Sequence, residues 1–262
     1  MGSDDAVTVA ATETSLRILE GIHEMQGAGI SELARYLDLP KSTVHNHVRT
    51  LHDAEYLVEA DAGYDLGLRF LEYGDYVRKR RQFIRIGSSE VEKLAEQTGE
   101  RVNLTVEEHG RGVYVYKANG SEAVRMDTYA GKRVPLHATA FGKAILSQRS
   151  TSFVEDVIDR HGLPQLTPQT ITDLDELRAE LEATRERGYA VDREERLEGV
   201  CCMAAPILVD DEVRGAISVS GPKSRIQGND LGDELPDLVT NAAEVIRINI
   251  TYADQDTFDR TW

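Results

Sequence analysis

The sequence is poor in lysine and in long apolar runs, and it contains a large excess of acid. Of its 262 residues only 7 are lysine against 23 arginine, and 46 acidic residues outnumber 30 basic ones to give a formal net charge of −16. This surplus argues against a protein that coats nucleic acid or anionic lipid through its overall charge. It favours a protein adapted to a salty cytoplasm, where a carboxylate-rich surface stays hydrated; an ordinary acidic bacterial protein is the alternative.

Further absences narrow the class. No run of 18 or more apolar residues is present, so no membrane helix is expected. The polar, acidic N-terminus lacks the basic and apolar regions of a secretory signal. The two cysteines, Cys201 and Cys202, are adjacent, which fits neither a disulfide framework nor a zinc site. We therefore predict a folded cytoplasmic protein with no membrane association, no metal and no cofactor.

Positive charge is concentrated in two windows that contain no acid. Residues 1–75 carry five basic and fourteen acidic side chains, yet residues 39–52 (LPKSTVHNHVRTLH) contain no carboxylate. Residues 76–89 (YVRKRRQFIRIGSS) are also free of acid and contain five basic side chains. An anionic partner is the simplest explanation for both windows.

The first window lies in a pattern of three helices and a hairpin. The spacing of apolar residues predicts a helix capped by Thr14 or Ser15, a second helix capped by Ser31, and a third helix from about Ser42. Two short strands follow within residues 57–66. This order is typical of a winged helix-turn-helix, whose third helix enters the major groove of DNA. A three-helix dimerisation or protein-docking module is the alternative.

The polar face of the third helix favours double-stranded DNA as the partner. Hydroxyl, amide and arginine side chains read base edges, and helix ends contact phosphates. His47 on this helix is either a partly buried helix residue or a further DNA contact. The predicted DNA-binding residues are Ser31, Lys41, Ser42, Thr43, His45, Asn46 and Arg49.

Six longer segments match a known family in order and spacing. They are ISELARYLDLPKSTVHNHVRTL, EYLV and YDLGLRFLEYG, followed by GKRVPLHATAFGKAIL, RGYAVDREERLEGVCCMAAPI and GAISVSGP. Together they resemble the IclR family of transcriptional regulators over about residues 12–252. The resemblance implies a homodimer or homotetramer on a palindromic operator, with a GAF-like domain that binds a small organic acid or sugar acid.

The predicted fold class is α+β, with an N-terminal winged helix-turn-helix joined by a linker helix to a GAF-like C-terminal effector-binding domain. The basic cluster at 78–85 either touches the DNA backbone or pairs with acidic faces of a partner subunit. The predicted divisions are a flexible tail at 1–11, the winged helix-turn-helix at 12–75, the linker helix and basic segment at 68–86, the effector-binding domain at 87–253 and a tail at 254–262.

Mixed helix and strand patterns fill the second domain. Period-two alternation predicts strands at 102–106, 113–115, 124–126, 190–192, 200–207 and 213–220. Helical spacing predicts helices at 89–97, 137–146, 172–187 (opened by a Thr-x-x-Asp box) and 236–252.

The resemblance also implies an effector pocket. The backbone amides of Ala140 and Phe141, at a helix N-terminus, would bind the effector carboxylate. Phe141 stands where the family commonly has a small residue, so it would narrow the pocket or stack on a planar effector. The remaining predicted effector-binding residues are Met126, which would form an apolar wall, and Asp192, Cys202, Ser218 and Ser220, which would line the pocket.

Departures from the family pattern affect DNA recognition. Asn46 replaces a common arginine, and asparagine pairs with adenine whereas arginine favours guanine. Asp61 and Asp65 replace basic residues in the wing, which makes phosphate contacts there doubtful.

The sequence thus predicts an effector-responsive DNA-binding regulator of a catabolic operon, acting as repressor or activator. One alternative is an architectural DNA-binding protein without a ligand. The other is an enzyme that uses Cys202 as nucleophile with His137 and Asp192. No nucleophile elbow, phosphate-cradling loop or metal-ligand spacing supports the enzyme.

Overall fold

The computed structural model describes residues 8–228 and 232–258, with side chains through residue 253. Two compact units divide the chain between Val77 and Arg78. Most of the predicted N-terminal tail and residues 259–262 of the predicted C-terminal tail lie outside the described residues.

The first unit is the predicted winged helix-turn-helix. Buried apolar side chains from the three helices and the first strand form its core, among them Ile18, Leu33, Val44 and Leu57. The two strands pair antiparallel, with Leu57 opposite Leu66. The elements in chain order are α1 (Ala10–Met25), α2 (Ile30–Tyr36), α3 (Lys41–Asp53), β1 (Leu57–Ala60), β2 (Gly63–Leu66) and α4 (Arg69–Arg80), the predicted linker helix, which crosses the boundary between the units.

The helix starts in this unit differ from those predicted. The Thr14 and Ser15 hydroxyls donate to carbonyl oxygens one turn back, so both residues lie inside α1 rather than capping it. Ser31 lies inside α2, because Gly29 is the N-cap and its amide donates to Glu32 Oε2 at 2.9 Å. The cap predictions for Thr14, Ser15 and Ser31 are therefore wrong, although the helices themselves are confirmed.

The second unit is built around a six-stranded antiparallel sheet with the order β5-β4-β3-β8-β7-β6. Its elements in chain order are α5 (Gln82–Thr98), β3 (Arg101–Glu108), β4 (Arg111–Asn119), β5 (Arg133–Pro135), α6 (Ala140–Leu146), α7 (Thr151–His161), α8 (Leu174–Arg187), β6 (Ala190–Arg193), β7 (Val200–Val209), β8 (Glu212–Pro222), α9 (Lys223–Ile226) and α10 (Leu235–Phe258).

Strand alternation gives the sheet two different faces. On one face Val102, Leu104 and Ile217 pack in a large apolar core with α5 and α10. The intervening residues of the same strands, which include Arg101 and Ser218, lie on the opposite face, where α6 packs. One face is therefore an apolar core and the other carries polar groups.

Several predictions for this unit need correction. Residues 124–126 form no strand, because the Arg101 guanidinium binds the carbonyl oxygens of Val124 and Met126. Asp173, rather than a Thr-x-x-Asp box, caps α8 by accepting from two backbone amides at 2.9 Å. Helix α10 continues to Phe258, so the predicted tail at 254–262 is helical at its start. The sequence patterns did not predict β5, α7 or α9.

Candidate DNA-binding face and effector cavity

The predicted DNA-binding residues form one polar face on α3. Val44 and Val48 point into the core, which turns the remaining positions outward. Arg49 pairs with Asp53 at 3.7 Å, but both side chains are largely exposed. Of the predicted residues, Lys41, Ser42, His45, Asn46 and Arg49 are exposed, Thr43 is half-buried, and Ser31 is exposed on α2.

His47 links two helices of the first unit. It is half-buried, and its Nδ1 lies 2.8 Å from the Ser15 hydroxyl of α1. This geometry supports the partly buried alternative and gives His47 a packing role in holding α3 against α1.

The basic segment at 78–85 has acidic neighbours within its own unit. Arg81 forms an ion pair with Glu108 at 3.7 Å, and Glu108 also pairs with Arg133. The positive charge of Arg81 is therefore partly balanced by its own chain.

A cavity of about 180 Å³ opens at the polar face of the six-stranded sheet. The loop between β4 and β5 forms one wall, and the loop between β6 and β7 forms another. Its lining residues are Tyr114, Met126, Asp127, Thr128, Lys132, Asp192, Arg196, Leu197, Val200, Cys202 and Ser220.

The register of the sheet explains why distant polar residues meet at this cavity. Arg101 lies opposite Ser220, Ser220 opposite Cys202, and Cys202 opposite Asp192. Directly paired residues of antiparallel strands project to the same face. The four residues therefore form a polar row across β3, β8, β7 and β6.

Burial controls the ionisation of two members of this row. Asp192 is 2% exposed, and burial together with the nearby Glu195 carboxylate raises its pKa to about 7. Its Oδ1 accepts a hydrogen bond from the Glu195 amide at 2.7 Å. Burial also raises the pKa of the Cys202 thiol, which stays protonated at neutral pH. A protonated thiol is a poor nucleophile, which weighs against the enzyme alternative.

Arg101 is buried and shapes the loop that carries Met126. Its guanidinium donates to the Thr128 hydroxyl at 2.5 Å and to the Met126 and Val124 carbonyl oxygens at 3.0 and 3.2 Å. Among the described residues it forms no ion pair, and its Nε has no hydrogen-bond partner. A buried guanidinium without a carboxylate leaves positive charge beside the cavity wall.

A buried ion pair stabilises the loop between β6 and β7, which forms the second wall of the cavity. Lys143 of α6 is 1% exposed and donates to Glu195 at 2.5 Å. Glu195 follows the cavity residue Asp192 closely in sequence, and its Oε2 has no partner within the described part of the chain. This pair fixes the loop between β6 and β7 against α6.

The structure brings together four of the seven predicted effector residues: Met126, Asp192, Cys202 and Ser220 line the cavity. Ala140 and Phe141 do not. The Phe141 ring packs against Gly112 and edge-on to Tyr114 at 5.2 Å, so it neither narrows the cavity nor stacks within it.

Ser218 also lies away from the cavity lining. It is buried on the same face of the sheet, and its hydroxyl is 3.5 Å from Asn103 Nδ2.

Sequence reasoning missed Tyr114, Arg101 and Arg196. Tyr114 and Arg101 lie on alternating strands, where the inward position of a polar residue signals a polar site. Arg196 belongs to the tract Arg193–Arg196 (REER), which is typical of a solvated charge run, and only the fold shows that it borders a cavity.

The described residues also lack two features. None of the described helices is long and apolar enough to span a bilayer, and the part of the chain that the structure describes contains no cluster of three potential metal ligands.

A winged helix-turn-helix with a polar recognition helix, in one chain with a second α+β unit, is the architecture of a DNA-binding transcriptional regulator. The family models agree. The model of the IclR helix-turn-helix domain matches residues 11–61, and that of the bacterial transcriptional regulator IclR C-terminal domain matches residues 76–248. The chain belongs to the IclR family of transcriptional regulators.

Curated relatives and solved structures extend this result. The chain is 32% identical over 252 residues to the probable HTH-type transcriptional regulator ArcR of Halobacterium salinarum, covering 94% of this chain and 95% of that protein. It is 32% identical over 220 residues to the transcriptional repressor AllR of Escherichia coli K12, covering 82% and 81%. The crystal structure of Thermotoga maritima IclR matches with a TM-score of 0.73 and 29% identity over 92% of this chain and 98% of that one. These relatives are regulators, and this chain is a regulator rather than an enzyme.

Proposed function

We propose that this regulator binds a palindromic operator of a catabolic operon as a homodimer or homotetramer and that a small organic acid controls the binding. The observation that carries the proposal is the stretch of residues 39–52, which covers the exposed polar face of α3 without a carboxylate until Asp53 at its C-terminal end, in a chain of net charge −16. An acidic chain can approach DNA only where its carboxylates are absent, and a recognition helix is the element that enters the major groove.

Different side chains on this face have different roles. Asn46 can pair bidentately with adenine and Arg49 with guanine, while Ser42, Thr43 and His45 offer shorter contacts to base edges. Ser31 and Lys41, at the first turns of α2 and α3, are placed for phosphates. The acidic wing contributes little to phosphate binding, because it carries carboxylates. One of them, Asp65, accepts a hydrogen bond from the Leu66 amide at 2.7 Å.

The DNA proposal is tested on a site selected by the parent protein from a random double-stranded library. We expect Asn46→Ala and Arg49→Ala each to weaken binding to that site by about 1–3 kcal/mol and to relax base preference at separate positions. Arg247→Ala is the matched control, because Arg247 is also an exposed arginine paired with an acid on its own helix. Selection of no sequence, or equal protection of the site by both α3 variants and the control, contradicts the assignment of α3.

The cavity is the proposed effector site, with Met126, Asp192, Cys202 and Ser220 as lining residues; Ala140, Phe141 and Ser218 are buried outside this lining. An effector that binds one arrangement of the dimer more tightly changes the separation of the two recognition helices by population shift. Ser220→Ala should abolish the effector response and leave operator binding intact. Loss of operator binding in that variant would contradict the separation of roles.

The acidic composition belongs to the same proposal. Residues 150–198 contain six basic and thirteen acidic side chains, whereas residues 39–52, which include most of α3, contain no acidic side chain. We infer that the protein works in a cytoplasm of molar salt, where the screening length is about 3 Å and such a surface stays soluble.

A further inference from the structure

The charges around the effector cavity are not balanced. Asp127 and Lys132 line it as an ion pair, and burial holds Asp192 mostly protonated below a pH of about 7. The remaining lining cation is Arg196. Among the described residues it has no carboxylate within ion-pair distance, although this chain contains 46 acidic side chains. The cavity therefore presents a guanidinium that no carboxylate contacts directly, although Asp127 in the same lining lies close enough to interact with its charge.

Tyr114 holds the Arg196 guanidinium in position without neutralising its positive charge. Its Nη1 donates to the Tyr114 hydroxyl at 2.6 Å, and its guanidinium lies 5.4 Å from the centre of the Tyr114 ring. Burial raises the pKa of Tyr114, so the phenol is neutral at physiological pH. A guanidinium has five N–H donors in a planar fork. With one donor on a neutral hydroxyl, others remain to bind a carboxylate, which is the anion that fits this fork bidentately.

Two further residues of the lining suit a hydroxyl group. Asp192 on β6 and Ser220 on β8 flank Cys202 on the intervening strand β7, and all three line the cavity. A carboxyl group and a serine hydroxyl both accept and donate hydrogen bonds when the carboxyl is protonated. Asp192 already accepts from the Glu195 amide and Ser220 from Asn103 Nδ2 at 3.4 Å, so a ligand hydroxyl uses the hydrogen-bonding capacity that these two groups have left.

The size of the cavity restricts the ligand further. Its volume of about 180 Å³ is below the range of about 300–1,000 Å³ typical of pockets for drug-sized molecules. It corresponds to roughly six water molecules at about 30 Å³ each. A cavity of this size suits a molecule with a few carbon atoms.

We propose that the effector is a short hydroxy acid whose carboxylate binds the Arg196 guanidinium and whose hydroxyl binds Asp192 and Ser220. This inference rests on the proposed function, because it assigns the ligand of the same effector site. It makes Arg196 the residue that selects acids over neutral molecules, and Asp192 with Ser220 the residues that select hydroxylated acids over plain ones.

The test uses calorimetry on the full chain in molar salt with glycolate, lactate and glycerate as probes. Each is paired with its amide, which removes the charge, and with the acid that lacks the hydroxyl. We expect at least one hydroxy acid to bind the parent, and its two analogues to bind at least tenfold more weakly, because the amide loses the charge that Arg196 binds and the plain acid loses the hydrogen bonds to Asp192 and Ser220. Equal binding of acid and amide, or binding of none of the three acids, overturns the proposal.

Variants separate a charge contact from a merely structural role. Arg196→Gln should weaken the binding of the acid at least tenfold and leave the binding of its amide nearly unchanged, and Arg196→Lys should lie between Arg196→Gln and the parent. Arg193→Gln is the matched control, since Arg193 is an exposed arginine three residues away that does not line the cavity. If Arg196→Gln weakens acid and amide equally, Arg196 only supports the fold and the assignment is wrong.

A second readout separates this inference from the proposed function. Operator binding is measured with and without the hydroxy acid that binds. If the acid binds through Arg196 and leaves operator affinity unchanged, the ligand assignment stands and effector control fails. If operator binding instead responds to an acid without a hydroxyl, effector control stands and the ligand assignment fails.

Discussion

Asp192 makes the stability of the second unit depend on pH in a measurable direction. Burial and the Glu195 carboxylate raise the pKa of Asp192 from 3.8 to about 7. Between these values the folded chain keeps a proton that the unfolded chain has released, so this group lowers the stability as the pH rises. At about 1.4 kcal/mol for each pH unit, the full effect is roughly 4 kcal/mol and is complete above a pH of about 7.

The substitution Asp192→Asn removes this titration. The asparagine oxygen can still accept the hydrogen bond that the Glu195 amide now donates to Asp192 Oδ1 at 2.7 Å. We therefore expect the free energy of unfolding of the variant to rise relative to that of the parent by about 3 kcal/mol between about pH 5 and pH 7. Above that pH the difference should stay constant. Urea denaturation at fixed molar salt, followed by circular dichroism, measures this difference at each pH.

Asp127 provides the control in the same cavity lining. Its side chain is 82% exposed, and a hydrogen bond from Lys132 lowers its pKa. Its stabilising effect is complete above the unfolded pKa and is lost as the pH falls through the lower folded value, so Asp127→Asn should give a flat difference between about pH 5 and pH 7. If the curve for Asp192→Asn is equally flat, Asp192 is ionised in the folded protein and the account of its burial is wrong.

Three further predictions concern the core and the DNA contact. Lys143→Met leaves Glu195 buried without its cation and should lower the free energy of unfolding by about 3–5 kcal/mol in urea denaturation, whereas the double variant with Glu195→Gln should recover most of this loss. Gly142→Ala places a Cβ in overlap with the Leu136 carbonyl oxygen and should cost about 1–3 kcal/mol or more in the same assay; an unchanged midpoint would contradict the close approach of α6 to this loop. Operator affinity should fall with added salt along a slope shallower than that of a basic regulator, and a steep slope in a binding titration would show that phosphate contacts dominate.

The first unit was largely predictable because its order is local. Apolar residues repeat at helical spacing, and the hairpin strands are separated by a turn of two residues between Ala60 and Gly63. The errors were at helix starts, where a hydroxyl has two possible partners. Thr14 can cap a helix or bond one turn back inside it, and the sequence alone does not distinguish these two uses.

The second unit contains an error with a different cause. The alternation of Val124 and Met126 has the period of a strand, but a strand also needs a neighbour for its carbonyl groups. Here a side chain takes that role, since Arg101 binds both carbonyl oxygens from another strand. The helix α7, by contrast, had a visible signal: Ser150 caps it by accepting from the Phe153 amide, and Val154 and Val157 repeat at helical spacing.

The candidate cavity depends on strand register, which the sequence does not determine. Asp192, Cys202 and Ser220 were expected together only through the family resemblance. Arg101 could not be placed with them, because its pairing partner Ser220 is more than a hundred residues away and the register between β3 and β8 is a property of the folded sheet.

The positions of cations that carboxylates do not hold tightly, more than the total charge, indicate the proposed anion sites in this acidic chain. A surface arginine surrounded by carboxylates exchanges partners at little cost, because an exposed ion pair contributes only about 0–1 kcal/mol. Arg49, whose ion pair with Asp53 at 3.7 Å is largely exposed, can therefore exchange that carboxylate for a base edge. Arg196 differs, because it is half-buried and held by a neutral hydroxyl, where an incoming carboxylate replaces no competitor. In both proposals the arginine is available to a ligand because no carboxylate of its own chain holds it tightly.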